Sequence, residues 1–221
     1  MIINLTHPLK RSSPLYTGTP EISIKSHKSI ENGDSANTSV ISLSSHSGTH
    51  IDLPLHFCEN GKSVSECIPY GWSLEPVYCA EVEKGPGECI TPKDIRGLPD
   101  EICDAKALLL KTGFGIYRDK EMGIYESNNP WVHPDVPDFL RNHFPDLLLF
   151  GIDTISISTS AHRNEGRECH RSFLCDKRPV LILEDVNLCN IQPESRSLKL
   201  SIYPYIYDNI DGSPVFVMAE K

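Results

Sequence analysis

Four side chains able to bind a metal ion fall within eleven residues of this sequence. Residues 45–57 read SHSGTHIDLPLHF and contain His46, His50, Asp52 and His56. Imidazole nitrogens and carboxylate oxygens together form the ligand sets of zinc and manganese sites. An isolated histidine would be interpreted as a surface or structural residue, but the density of this cluster predicts a metal centre.

The spacing within the cluster indicates how its side chains reach a common ion. The glycine and proline in the segment disfavour a helix, so we expect an extended chain. Alternate residues of an extended chain point to the same face, which places His50, Asp52 and His56 together. A turn at Gly48 would return His46 toward the same place. The residues between them form the apolar face: Ile51, Leu53 and Leu55.

Length and charge describe a globular protein that does not bind nucleic acid. The chain has 221 residues, of which 39% are hydrophobic and 23% charged, and these values predict one domain spanning residues 1–221. Its 30 acidic and 21 basic residues give a formal net charge of -9, which argues against a phosphate-backbone partner. The sequence contains no signal-peptide pattern and no membrane-length apolar run, so we expect a cytoplasmic protein.

The eight cysteines are predicted to be free thiols. A chain of 221 residues can bury a sufficient core without disulfides, and no export signal indicates an oxidising compartment. No pair of cysteines has the C-x-x-C spacing of a zinc ribbon or a thioredoxin-like site.

Short β-prone runs separated by proline and glycine predict a mixed, β-rich α/β domain with a central mixed sheet. Predicted strands cover residues 2–5, 21–25, 38–44, 77–82, 107–112, 147–157, 180–183, 198–203 and 214–218. About three short helices are expected, beginning after Thr91, beginning after Asp135, and spanning residues 165–174.

The histidine cluster resembles the H-x-G-T-H-x-D-x-P-x-H-F signature of the cyclase family. This family of metal-dependent hydrolases includes bacterial kynurenine formamidase (arylformamidase), isatin hydrolase and some polyketide cyclases. Every fixed position of the signature is present. Further similarity lies in residues 4–9, 16–20, 108–113 and 151–153. The resemblance implies a swivelling β/β/α fold and a homodimer or tetramer whose neighbouring chains help to close the pocket.

The resemblance also implies a distal half of the site. Its ligands would be His170 and Glu184, which complete the first cluster, with Asp52 bridging two metal ions. Glu184 ends an apolar strand in the sequence, where a carboxylate requires a counter-charge. His162 remains an alternative to His170. The implied cofactor is one or two zinc ions, with manganese as the alternative.

His56 is the predicted catalytic residue for proton transfer. It shares the face of the ligands but lies beyond them, and imidazole titrates near neutral pH. Glu184 is the second catalytic candidate, since it could orient His56. Metal-activated water would attack the carbonyl carbon, and the amide nitrogen would leave with a proton.

The predicted function is hydrolysis of the C–N bond of an aryl formamide or cyclic amide, with N-formylkynurenine of tryptophan catabolism as the first candidate. The alternatives are an isatin-hydrolase-like lactam hydrolase, a metal-dependent cyclase or dehydratase, and a non-enzymatic metal-binding protein. The aromatic residues that suit either an aryl pocket or the core are Phe57, Tyr70, Trp72 and Trp131.

Overall fold

The fold is taken from a computed structural model, which describes residues 1–99, 103–193 and 198–221. The strands are β1 (Ile2–Asn4), β2 (Ser23–Lys28), β3 (Thr38–Ser42), β4 (His50–Asp52), β5 (Trp72–Glu81), β6 (Cys89–Ile90), β7 (Ala107–Lys111), β8 (Trp131–Val132), β9 (Leu149–Ile152), β10 (Leu181–Glu184), β11 (Leu198–Pro204) and β12 (Gly212–Glu220). The helices are α1 (Val64–Cys67), α2 (Pro92–Ile95), α3 (Tyr117–Lys120), α4 (Met122–Ser127), α5 (Val136–His143) and α6 (Arg163–Leu174). Short 3₁₀ turns span Ile30–Asn32, Pro54–His56 and Phe114–Ile116.

Eight strands form one mixed sheet that closes into a barrel. Their order is β1-β12-β11-β5-β7-β9-β10-β4, and β4 also pairs with β12. The strands β5, β7, β9 and β10 run parallel, whereas β4 is antiparallel to both of its neighbours, β10 and β12. Closure therefore places the short β4 between two strands that are distant from it in sequence. Outside the barrel, β2 and β3 form an exposed hairpin.

The parallel strands are apolar on both faces because other elements cover both sides of them. All residues of β9 and β10 are buried, as are the first four of β7. The helix α6 packs on this part of the sheet, where the rings of Phe173 and Phe150 stack with centroids 5.2 Å apart. Gly151 permits close packing between strands, since a Cβ there would lie 2.6 Å from Leu109 Cδ2. The helix that carries His170 is thereby fixed against the barrel.

The predicted β-rich mixed α/β fold is confirmed, with differences in its elements. The central strand predicted over residues 147–157 ends at Ile152, because the following residues bend away from the sheet. The described residues form six helices rather than about three. The capping box that starts α1, Ser63 with Glu66 three residues later, is a sequence signal that the predictions missed. No helix in the described ranges has the length and apolarity of a membrane span.

A buried ion pair fixes the chain directly after β10. Asp185 accepts hydrogen bonds from Arg118 Nε at 2.7 Å and Arg118 Nη2 at 2.8 Å, and from the Tyr125 hydroxyl at 2.6 Å. Its backbone lies in the left-handed region with φ 51, a conformation that non-glycine residues adopt rarely. Because Asp185 directly follows Glu184, these bonds determine where Glu184 leaves the strand.

We predict that Arg118→Met destabilises the protein by about 3–5 kcal/mol, because Asp185 would remain buried without its cation. Urea unfolding measures the difference. The matched control is Lys84→Met, which breaks the more exposed pair of Lys84 and Asp94 and should change the free energy of unfolding by about 1 kcal/mol or less. Equal effects of the two substitutions would contradict the role given to the Arg118–Asp185 pair.

Candidate metal centre

The strand β4 carries His50 and Asp52 on the face of the sheet that α6 covers. His50 and Asp52 are alternate residues of this strand and are 3% and 1% exposed. In the antiparallel pairing with β10, His50 lies opposite Glu184. His46 precedes the strand and is returned toward it by a turn in which Gly48 has φ 66. The structure thus brings together side chains separated by 138 residues (184 minus 46).

The prediction of one extended segment through His56 is wrong. The strand ends at Asp52, and Pro54–His56 forms a 3₁₀ turn with Pro54 at its first position, where its fixed φ is favourable. The turn nevertheless directs His56 toward the cluster, since its ring centroid lies 4.0 Å from that of His46. The predicted apolar face holds for the fully buried Ile51 and Leu53.

Two histidines are oriented by backbone carbonyl groups. His50 Nδ1 donates to the carbonyl oxygen of Gly48 at 2.7 Å, and His170 Nδ1 donates to that of Gly166 at 2.7 Å. A histidine that donates from Nδ1 retains the lone pair on Nε2 in its neutral form. In metal-binding histidines, the ring nitrogen that does not bind the metal typically donates such a hydrogen bond. Both side chains therefore present the nitrogen suited to bind a cation.

The spacing of the donor atoms fits a divalent ion. His50 Nε2 lies 3.4 Å from Asp52 Oδ1 and 3.3 Å from Glu184 Oε2. His170 Nε2 lies 3.6 Å from Asp52 Oδ2 and from Glu184 Oε1. These distances exceed those of good hydrogen bonds. Two atoms that each lie about 2.1 Å from a tetrahedral zinc ion are separated by roughly 3.4 Å, which matches the observed spacing.

The two buried carboxylates also indicate a cation. Asp52 Oδ2 is buried and has no hydrogen-bond partner. Glu184 is better satisfied, since Oε1 accepts from Ile157 N at 2.7 Å and from Ser156 Oγ at 3.1 Å. Burial and the charge of Asp52 would raise the pKa of Glu184, but contacts with the two facing imidazoles lower it. A buried carboxylate oxygen without a donor is a position where a metal ion fits.

Asp211 is a site residue that the sequence predictions missed. Its Oδ2 lies 2.9 Å from His46 Nε2 and 2.9 Å from His56 Nδ1, and its Oδ1 accepts from Ser45 Oγ at 3.0 Å. Hydrogen bonds with the two histidines hold the pKa of this carboxyl well below its usual range. Asp211, rather than the expected Glu184, is therefore the carboxylate that contacts His56. A turn signal, the residues DNIDG at 208–212, was the only local feature that marked it.

His162, the alternative to His170, lies outside the cluster. Its ring stacks on Trp131 at 4.4 Å, and its Nδ1 lies 3.8 Å from Glu165. His170 is buried, and Phe57 stacks on it at 4.7 Å. Of the aromatic residues considered for an aryl pocket, only Phe57 lines the cavity beside the cluster.

A disulfide bond joins the two halves of the cluster. Cys58 lies two residues after His56, and Cys175 follows the last residue of α6, which carries His170; the two sulfurs are bonded. The prediction of free thiols is wrong for this pair, because a contact between residues 117 apart leaves no local sequence signal. The remaining cysteines are free: Cys67, Cys79, Cys89, Cys103, Cys169 and Cys189.

The cluster forms the floor of a pocket of about 440 Å³. Its walls come from the loop at residues 16–20, from the irregular chain after β9, and from α6. Besides the six predicted site residues, the lining includes Tyr16, Thr17, Gly18, Thr19, Pro20, Ser44, Phe57, Ile155, Ser156, Ser158, Arg163 and Arg167. A volume of this size suits a small organic substrate.

We predict that His46 of the metal-free protein stays protonated to about pH 10. Burial would lower its pKa, but the charge of Asp52 and the hydrogen bonds with Asp211 and Asp52 raise it to about 10. This protonation stabilises the fold below the unfolded-state pKa of about 6.5, and the contribution is lost as the pH rises through about 10. NMR titration of labelled histidine measures the value.

Asp211→Asn should lower the pKa of His46, whereas Asp94→Asn, a substitution in the distant pair with Lys84, should leave it unchanged. Titration of His46 near pH 6.5 in the metal-free protein would refute this account of its environment.

Comparison with known proteins identifies the family. The family model described as "Putative cyclase" matches residues 3–159. Isatin hydrolase A from Labrenzia aggregata, solved with benzyl benzoate, is 21% identical, with a TM-score of 0.78 over 99% of this chain and 93% of that chain. A "predicted metal-dependent hydrolase" from Bacillus stearothermophilus is 23% identical, with a TM-score of 0.75 over 99% and 97%. An uncharacterized protein of Haemophilus influenzae is 32% identical over 111 residues, 50% of this chain and 78% of that protein. Because the family model covers more than half of the chain, the protein belongs to the cyclase family.

Proposed function

We propose that this protein is a metal-dependent hydrolase that cleaves the C–N bond of an aryl formamide or a lactam. The observation that carries the proposal is the pair of buried carboxylates, Asp52 and Glu184, faced by the Nε2 atoms of His50 and His170. The names of the structural relatives, isatin hydrolase and metal-dependent hydrolase, support the same reaction class.

The proposed ligands are His46, His50, Asp52, His170 and Glu184. Asp52 and Glu184 each direct one oxygen toward His50 and the other toward His170, an arrangement that suits one ion or two. The mixed nitrogen and oxygen donors favour zinc, with manganese as the alternative. When bound, a divalent cation lowers the pKa of water from about 15.7 toward about 7 and polarises a carbonyl group.

His56 is proposed to transfer the proton that the leaving nitrogen requires. An amide nitrogen leaves poorly unless it is protonated, so hydrolysis needs a general acid. Asp211 holds His56 through Nδ1 at 2.9 Å, which leaves Nε2 to carry the transferred proton. The carboxylate of Asp211 also stabilises the charged imidazolium, as a carboxylate does for histidine in other hydrolases.

The pocket is proposed to hold an aryl group beside the reacting bond. Phe57 contributes an apolar ring next to His170, and Tyr16 lies on the opposite loop with its hydroxyl 3.3 Å from Ser158 Oγ. The family description favours ring closure as a second candidate, because the same polarised carbonyl can react with a nucleophile of its own molecule.

We predict different outcomes for two histidine substitutions. His50→Ala removes a ligand and should abolish both metal retention and turnover. His56→Ala should retain the metal while kcat falls by about 100- to 10,000-fold, the usual contribution of general acid–base catalysis. Metal content is measured by elemental analysis, and turnover is measured with N-formylkynurenine, isatin and formanilide on protein reloaded with zinc or manganese.

His162→Ala is the control, since that side chain packs on Trp131 outside the pocket, and it should retain both metal and activity. Turnover that survives complete metal removal would overturn the proposal. Metal binding without hydrolysis of any amide or lactam would instead favour ring closure as the reaction.

We also predict that Gly212→Ala weakens metal binding by about tenfold to hundredfold, the range seen when a ligand loses its support. A Cβ at residue 212 would lie 2.6 Å from His46 Cε1 and 3.0 Å from the carbonyl oxygen of Ile51, so the imidazole must move. Gly123→Ala in α4 meets nothing within 4 Å and is the matched control. Competition with a chromogenic chelator measures both affinities, and equal values would show that His46 does not contribute to the metal site.

A further inference from the structure

Two arginines of α6 line the pocket above the candidate metal centre. Arg163 and Arg167 are four residues apart on this helix, a spacing that places their side chains on the same face. His170 lies one turn further along the helix and reaches the cluster. The same helix therefore contributes a ligand candidate to the floor and two cations to the wall.

Neither guanidinium group has an ion pair or hydrogen bond with the part of the chain that the structure describes. Other arginines have such partners: Arg118 binds Asp185, and Arg178 donates to the carbonyl oxygen of Pro145 at 3.0 Å. An acidic neighbour on α6, Glu165, lies near His162 instead. The pocket wall thus presents two cationic groups whose donors are available to a ligand.

The charges of the pocket are divided between floor and wall. The floor contains Asp52 and Glu184, whose carboxylates face imidazoles. The wall contains Arg163 and Arg167, together with hydroxyl groups of Tyr16 and Ser158. Both arginines are exposed side chains at the pocket wall, so their N–H donors are accessible to an anionic group of a molecule that enters the pocket.

We propose that Arg163 and Arg167 bind a carboxylate group of the substrate, at a distance from the bond that is cleaved. This inference rests on the proposed function for its reaction, and it specifies the substrate class as an acidic amide. The planar guanidinium presents paired N–H donors that match the two oxygens of a carboxylate. Binding there would hold the substrate at its acidic end and direct its scissile carbonyl to the floor.

The test compares substrates that differ only in charge. The probes are 2-formamidobenzoate and 3-formamidobenzoate with their methyl esters, and formate release gives kcat/KM on the metal-loaded protein. We expect kcat/KM for at least one acid to exceed that of its ester by about tenfold or more. In the double variant Arg163→Gln/Arg167→Gln, kcat/KM should fall at least about tenfold more for that acid than for its ester.

Two further variants keep the result interpretable. Arg163→Lys/Arg167→Lys retains the charge and should recover part of the preference for the acid. Arg96→Gln removes an exposed arginine at the end of α2, away from this pocket, and should preserve the preference. A wild-type protein without preference for either acid, or a double variant with equal losses on acid and ester, would overturn the proposal.

A binding measurement separates this inference from the proposed function. Calorimetry with 2-aminobenzoate, 3-aminobenzoate and aniline tests recognition of the carboxylate without any turnover. Binding of either acid that is lost in Arg163→Gln/Arg167→Gln would support the anion site even if no amide is hydrolysed. Hydrolysis of formamides without charge preference, and without arginine-dependent binding, would support the proposed hydrolase reaction and refute the proposed anion site.

Discussion

The structure of this protein depends on the charges that surround two neighbouring buried carboxylates. Asp52 and Glu184 lie on neighbouring strands of the barrel, almost without contact with water. Like charges in such an environment repel strongly and each loses its hydration. The arrangement is stable only where positive charge faces both groups, which imidazolium protons or a metal ion can supply. The surrounding contacts keep that positive charge in place.

The closed barrel makes the juxtaposition possible. The strand β4 has three residues and would be marginal alone, but it is held between β10 and β12. Pairing with β10 sets Glu184 opposite His50, and pairing with β12 brings Asp211, just before that strand, beside His46. Three distant parts of the chain therefore meet because the sheet closes at this short strand.

Much of the candidate site was predictable because its chemistry is dense in one short segment. Alternation placed His50 and Asp52 on one face, and the strand does hold both side chains in the site. The capping signal at Thr91 likewise predicted the start of α2, where Thr91 and Asp94 form a capping box. The prediction of an extended chain failed after Asp52, since Pro54 starts a tight turn. Local sequence signals therefore identified the ligand types better than the path of the backbone.

The contact that orients the proton-transfer candidate His56 was not predictable, since it joins residues far apart in sequence. Asp211 is separated from His56 by 155 residues, and nothing in the segment before β12 distinguishes it from an ordinary turn aspartate. Its contact occupies Nδ1 of His56, whereas backbone carbonyls occupy Nδ1 of His50 and of His170. As a result, Nε2 of His50 and Nε2 of His170 can bind a cation, whereas Nε2 of His56 can carry a proton. The sequence places several histidines close together, but only the tertiary structure determines which ring nitrogen can bind a cation and which can transfer a proton.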